Sequence, residues 1–222
     1  MALDRFRRLA VRISVIDVVT LAVLAIAILL LVRPGSVVYS AVNGWLSQRE
    51  LRTAVRDNWD ELSRLASPLY PGTADPEVIE FIDYQCPFCR ASSSSVDSAI
   101  AAGVRVAIIH LPLPIHPAAG AAAQAALCAD RVGRLPEVHR ALITGTDWYD
   151  DQVWLNHREF SEISALPAFI DCTVAGQLDV VVGPHLDLAT RIGVRQTPVF
   201  VASGRILKGP PSRESLTRLA RK

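Results

Sequence analysis

The chain has 222 residues, 23 basic against 22 acidic side chains for a formal net charge of +1, and half of its residues are apolar. That length suits one ordinary domain plus an anchor, and the near-neutral balance gives no electrostatic reason to expect nucleic acid or an acidic substrate. Only Lys208 and Lys222 are lysines, the other basic residues being arginines, which reads as genome composition rather than function.

The first element is Ile13–Val32, 20 residues interrupted by one charge, Asp17. About 20 apolar residues suffice to span a bilayer as a helix. Arg5, Arg7, Arg8 and Arg12 precede it, opposed only by Asp4. The positive-inside bias therefore assigns residues 1–12 to the cytoplasm, 13–32 to a single transmembrane helix and everything after to the outside. Asp17 falls near the cytoplasmic end, where a carboxylate costs less than at mid-bilayer. A cleaved signal peptide is the alternative; against it, the apolar stretch is long and Val38-Tyr39-Ser40 is a poor cleavage site. Either reading exports the rest of the chain to an oxidising compartment.

Residues 33–45, with Pro34, Gly35 and Gly44, predict a short connection. Leu51, Val55, Trp59, Leu62 and Ala66 then recur at three- and four-residue steps, an amphipathic helix expected to dock on the domain because Trp59 would otherwise be exposed. Residues 67–76 read as a loop, so 33–73 form linker and helix, and 74–222 the domain. The strand Glu77–Tyr84 leads into Cys86-Pro87-Phe88-Cys89 and a helix Arg90–Ala102 ended by Gly103. Further expected elements are a strand Val104–Ile109, a proline-broken loop Leu111–Pro117, a helix Ala118–Ala129, helical signals over Leu135–Asp179, and a turn or two of helix at Asp187–Ile192. The strands Val199–Ala202 and Arg205–Lys208 turn at Ser203-Gly204. A capped amphipathic helix, Ser212–Arg221, closes the chain. The order β, α, β, helical block, β, β, α predicts an α/β fold, a mixed sheet flanked by helices with a helical insertion at about 112–185.

Cys86 and Cys89 stand two residues apart at a strand-to-helix junction. A helix N-terminus stabilises a thiolate through its free N–H groups and dipole, and the thiolate is the attacking species in disulfide exchange. Pro87 suits the first turn, where its missing N–H costs nothing; Cys89, one turn in, resolves the mixed disulfide. Half of a zinc site and a purely structural disulfide are the other readings. Cys128 and Cys172 are isolated and supply no second Cys-x-x-Cys, and in an exported chain they are expected to pair with each other, two buried free thiols being the alternative. No metal, and no cofactor beyond the redox-active disulfide, is expected. Glu80, within an apolar strand, is either a proton acceptor for Cys89 or a strand-edge residue with its head in solvent. Thr197-Pro198 begins a strand, and its isomer is open at this level. Asp83 is less telling than Glu80, His116 reads as a loop or cap residue, and the other histidines carry no pattern.

Three blocks together resemble a known family. EVIEFIDYQCPFCR resembles the active-site strand and helix of DsbA-like thiol–disulfide oxidoreductases, IHLPLPIHPAAGAAAQAALCA the entry to their inserted helical domain, and IGVRQTPVFVASGRILKG their cis-proline loop and final hairpin. The resemblance covers roughly residues 75–222. It implies a thioredoxin fold with a helical insertion, Cys86 as nucleophile, Cys89 as resolving thiol, Glu80 as buried acid, and Pro198 as a cis-proline facing Cys86. It also implies substrate contact at Thr197 and Pro198, with Pro87 and Phe88 beside them. The best-known oxidases of this family have His at the position of Phe88. Phe88 offers neither charge nor donor, so a less depressed thiolate and a less oxidising pair are expected.

The resulting expectation is a cell-membrane, single-pass enzyme with its catalytic domain in the periplasm or its equivalent, forming disulfides in exported protein thiols. A membrane redox partner, DsbB-like (quinone-linked) or vitamin-K-epoxide-reductase-like (VKOR-like), would reoxidise it. Reverse flow, as a reductase or isomerase, and a non-catalytic peptide-binding module are the alternatives.

Overall fold

The computed structural model describes residues 15–72, 74–149, 162–163, 165–175 and 178–221. Helix α1, Val15–Val32, has 18 residues and presents exposed apolar side chains on every side. Ile13 and Ser14 of the expected span lie outside the described residues. At 1.5 Å per residue α1 is about 27 Å long, short of a hydrocarbon core of about 30 Å, and among the described residues no helix is long and apolar enough to cross a membrane.

Residues up to Glu50 and Leu51–Lys222 form two compact units. The expected connection over 33–45 is mostly helix: α2 starts at Val37 and runs to Asp57. Gly44 is tolerated there because an isolated helical glycine costs only about 1 kcal/mol. Asn58 separates α2 from α3, Trp59–Leu65.

The second unit is built on a five-stranded sheet ordered β1-β3-β2-β4-β5. Its strands are β1 (Ser67–Pro68), β2 (Val78–Ile82), β3 (Val106–His110), β4 (Val199–Ala202) and β5 (Arg205–Lys208). Only β2 and β3 are parallel; the other pairs are antiparallel. The expected loop over 67–76 thus contributes an edge strand, Ser67 opposite Ile108 and Pro68 opposite Ala107, a place where a proline without N–H is permitted. β2 and β3 are buried at every position, as expected of parallel strands covered on both faces.

Side-chain alternation along the strands separates the two faces. Ile79, Phe81, Ala107, Ile109, Val199 and Val201 pack with Leu51, Val55 and Leu62 and with Leu188 and Ile192 of α8 (Leu178–Ile192). On the other face Val78, Val106 and Phe200 meet Val96 and Ala99 of α4 (Pro87–Ala101) and Leu216 and Leu219 of α9 (Arg213–Ala220). Gly103, at φ +89, ends α4 in the left-handed region, which lets the Val104 N–H return to the Ala99 carbonyl.

The helical insertion comprises α5 (Ala119–Arg131), α6 (Leu135–Thr144), α7 (Pro167–Ile170), which continues into a π-helical turn at Asp171–Ala175, and the start of α8. The alanine-rich α5 is buried along most of its length, since small side chains let helices approach from several sides. The turn or two expected at Asp187–Ile192 is the end of a 15-residue helix that carries Pro184 inside it. The expected insertion boundary at 185 therefore falls within α8. Cys128 and Cys172 are joined by a disulfide that ties α5 to the π-helical turn.

Candidate active site

β2 delivers the chain to the turn Asp83–Gln85, and Cys86 is the extended N-cap residue of α4. Pro87 takes the first helical position, where its fixed φ fits and no N–H is missed. Cys86 and Cys89 are unbonded thiols and both buried, whereas Pro87 and Phe88 are exposed.

The Thr197-Pro198 bond is cis. The loop brings the Thr197 carbonyl within 3.6 Å of Cys86 Sγ, across 111 residues of sequence. Pro198 and Thr197 are both buried.

The two thiols are pushed in opposite directions. Cys86 is lowered from 9.0 to about 5, first by the Cys89 thiol hydrogen bond, then by the Thr197 side chain and the N–H groups of Cys89 and Phe88, against a burial penalty. The helix N-terminus therefore supplies donors that the Phe88 side chain lacks. Cys89 is pushed far up, mainly by burial, then by its bond to Cys86 and by the charge of Glu80. Cys86 is the thiolate at neutral pH and Cys89 the thiol.

Glu80 lies in the middle strands, opposite Ile108 on β3 and Phe200 on β4, so it is not a strand-edge residue with its head in solvent. It is 2 % exposed, and its Oε1 has no hydrogen-bond partner. Burial, and secondarily Cys86, raises its carboxyl from 4.5 to about 8. A carboxyl that is mostly protonated at pH 7 and faces a buried thiol is suited to give and take a proton.

Several residues that the sequence does not single out help build the site. The fully buried Asp83 carboxylate accepts four hydrogen bonds: from the N–H of Gln85 (2.8 Å), Cys86 (3.2 Å) and Leu113 (2.8 Å), and from His116 Nδ1 (2.7 Å). Its own N–H points to Cys89 Sγ at 3.5 Å. Asp83 thus stitches the active-site turn to the proline-broken loop, with His116 as its partner rather than a simple cap. The available signal was an Asp two residues before a turn N–H, the Asx pattern. Tyr84, His110, His139 and His185 form a buried cluster: Tyr84 Oη lies 3.1 Å from His139 Nδ1, and the His110 ring is 5.8 Å from Tyr84 and 5.3 Å from His185. Burial lowers all three histidines, His139 and His185 to about 4, which leaves them neutral at pH 7.

A thiolate at a helix N-terminus, a buried thiol one turn on and a cis-proline loop across from them are arranged as thiol–disulfide exchange requires. The chain belongs to the thioredoxin family: the family profile described as Thioredoxin matches residues 72–221. Among solved structures, a linker-deletion mutant of Proteus mirabilis ScsC is similar at 18 % identity and a TM-score of 0.68, over 95 % of this chain and 96 % of that one. The thiol-disulfide exchange protein α-DsbA2 from Wolbachia pipientis is similar at 18 % identity and a TM-score of 0.62, over 78 % of this chain and 95 % of that one. At these identities the likeness is one of fold. A curated relative, Na(+)/H(+) antiporter NhaA 3 of Salinispora tropica, is 30 % identical over 158 residues, 66 % of this chain. The chain spans less than a quarter, 23 %, of the length of the curated relatives it matches.

Proposed function

We propose that this chain is a membrane-anchored, extracytoplasmic enzyme that forms disulfides in exported proteins through Cys86 and Cys89. The observation that carries the reading is the Cys86 sulfur, lowered to about 5 and seated 3.6 Å from the carbonyl that precedes cis-Pro198. A substrate thiolate attacks Cys86 Sγ in the Cys86–Cys89 disulfide, and Cys89 departs and takes a proton. The substrate's second thiolate then attacks the mixed disulfide and releases Cys86 as its stable thiolate. In this reading Glu80 serves Cys89 as acid and base. The Thr197-Pro198 edge and the exposed Pro87 and Phe88 receive the substrate chain. A DsbB-like or VKOR-like membrane protein reoxidises the pair. The anchor reading rests on the apolar surface that α1 presents on every side beyond Asp17 and Thr20 and the arginines preceding it in sequence; the Cys128–Cys172 bond is consistent with an oxidising compartment.

The reverse flow, a reductase, draws on Phe88, which is 60 % exposed beside Cys86 and adds no charge to it. Thiol alkylation of the chain in cells decides between them. A mostly oxidised pair is expected; a mostly reduced pair refutes the oxidase reading in favour of the reductase. A Cys89→Ala variant is expected to accumulate mixed disulfides with exported proteins. If it accumulates none and Cys86→Ser retains function, the site is a peptide-binding module instead.

A further inference from the structure

When the Cys86–Cys89 disulfide is reduced, the electron pair of the S–S bond stays on Cys89 Sγ, which is buried and requires a proton. Glu80 can give one, but it is buried too. Each turnover must therefore carry a proton between Glu80 and water, and the cluster beside Glu80 offers a route. Glu80, Ile82, Ile108 and His110 occupy one face of the sheet, with Ile82 opposite His110 in the parallel register. Tyr84 follows on from β2, and Glu80 and Cys89 both act electrostatically on its hydroxyl, as does Asp130. Glu80 Oε1 and both ring nitrogens of His110 are buried without a hydrogen-bond partner, so this side of the pocket is polar but not locked. The Tyr84 hydroxyl meets His139 Nδ1 at 3.1 Å. His139 in turn lines a cleft of about 40 Å³ between α4 and α6, with Asp97, Ile100 and Arg140, enough room for water.

We propose that Tyr84 and His139 form a proton path between Glu80 and this cleft, on the side of α4 away from the cis-proline loop. The inference rests on the thiol–disulfide exchange reading above. In the oxidising direction Glu80 passes its proton to Cys89 Sγ. The resulting carboxylate takes a proton from the Tyr84 hydroxyl through a water held between them at the unpaired Glu80 Oε1, Tyr84 takes one from His139 Nδ1, and His139 takes one at its other ring nitrogen from cleft water. One proton enters for each disulfide reduced, and reoxidation sends it back by the same route. A neutral imidazole and a phenol can each accept and donate in one event, so neither needs to carry a lasting charge. The groups facing the path are Cys86, Cys89, Asp130, His110 and His185 inside, and Asp97 and Arg140 at its mouth. His110 forms its wall, with a ring centroid 5.8 Å from that of Tyr84.

The test follows the reaction of the oxidised full chain with a synthetic two-cysteine peptide at pH 7, quenched by alkylation. Tyr84→Phe and His139→Ala are each expected to slow exchange about tenfold, less than the roughly hundredfold of a lost general acid–base, because Glu80 still serves Cys89 directly. Added imidazole, which reaches the open cleft, is expected to restore the His139→Ala rate to within about threefold of wild type. Alkylation of the reduced Cys86 thiolate should be unchanged in both variants. Variants within about twofold of an active wild type overturn the path alone, as does a slow His139→Ala that imidazole leaves slow, because a packing defect would behave that way. A wild-type chain that does not exchange disulfides at all overturns the functional reading on which the path depends.

Discussion

Glu80→Gln replaces a buried carboxyl by a neutral amide of the same shape, and its effect on stability follows from the site. Burial raises the Glu80 carboxyl from 4.5 to about 8 in the folded protein. Between those pH values the folded chain holds a proton that the unfolded chain has released, so this group's contribution to stability is fully present below pH 4.5 and is lost as pH rises towards 8. At 1.36 kcal/mol per pH unit the full loss is about 5 kcal/mol above pH 8, and about 3 kcal/mol at pH 7. Gln carries no such penalty. Denaturant unfolding of the reduced wild type and of Glu80→Gln from pH 4.5 to 8.5 is the assay. Cys86 titrates in both proteins and in the opposite sense, so only the difference between the two curves isolates Glu80. That difference should grow with pH until the variant is several kcal/mol the more stable at pH 8, while its disulfide exchange falls by about a hundredfold, within the range for a lost general acid–base. A difference that stays flat across the range would refute the assignment of a buried, raised carboxyl at this position.

Removing the insertion disulfide with Cys128→Ala and Cys172→Ala opens a closure of 44 residues. The chain-entropy relation gives a loss of about 4 kcal/mol, read as an earlier denaturant midpoint with the alkylation rate of Cys86 unchanged. Asp83→Ala leaves the N–H groups of Gln85 and Leu113 and His116 Nδ1 without that acceptor, while the Cys86 N–H keeps the Asp83 carbonyl. At about 1–3 kcal/mol for a buried unpaired donor it should destabilise the chain by at least about 3 kcal/mol in chemical unfolding, and it should lower Cys86 reactivity as the turn loosens. Phe88→His places a donor two residues beyond the N-cap position of Cys86. A charge-assisted bond of about 1.5–3 kcal/mol to the thiolate would raise the reduction potential by about 30–60 mV, measured by equilibration with glutathione; an unchanged potential would mean that the exposed ring position does not face the sulfur.

Much of the architecture is local and was legible as such. Apolar runs of five residues, a proline after the first cysteine, a Gly-terminated helix and a Ser-Gly hairpin turn are decided by neighbours within one or two turns. They placed β2, α4, β4, β5 and α9 to within a few residues. α2 was under-read because its first half is exposed and lacks the core-facing periodicity that marks its second half. β1 was missed because a two-residue edge strand exists only through its pairing with β3.

The redox chemistry divides in the same way. By itself the sequence determined that two cysteines stand one helical turn apart at a helix start, since that depends only on spacing and on the strand-to-helix junction. Glu80 was visible as an acid in an apolar strand, but not whether its head reached water. The family resemblance implied a buried Glu80 and a cis-Pro198 against Cys86, but the residues themselves left both open; the tertiary structure showed Glu80 at the centre of the sheet and alone decided that Asp83, His116, Tyr84 and His139 belong to the site. Those facts come from contacts spanning 33 to 111 residues of sequence. Hydrogen-bond partners and desolvation depend on what the folded chain brings within a few ångströms, and spacing along the sequence does not contain that distance.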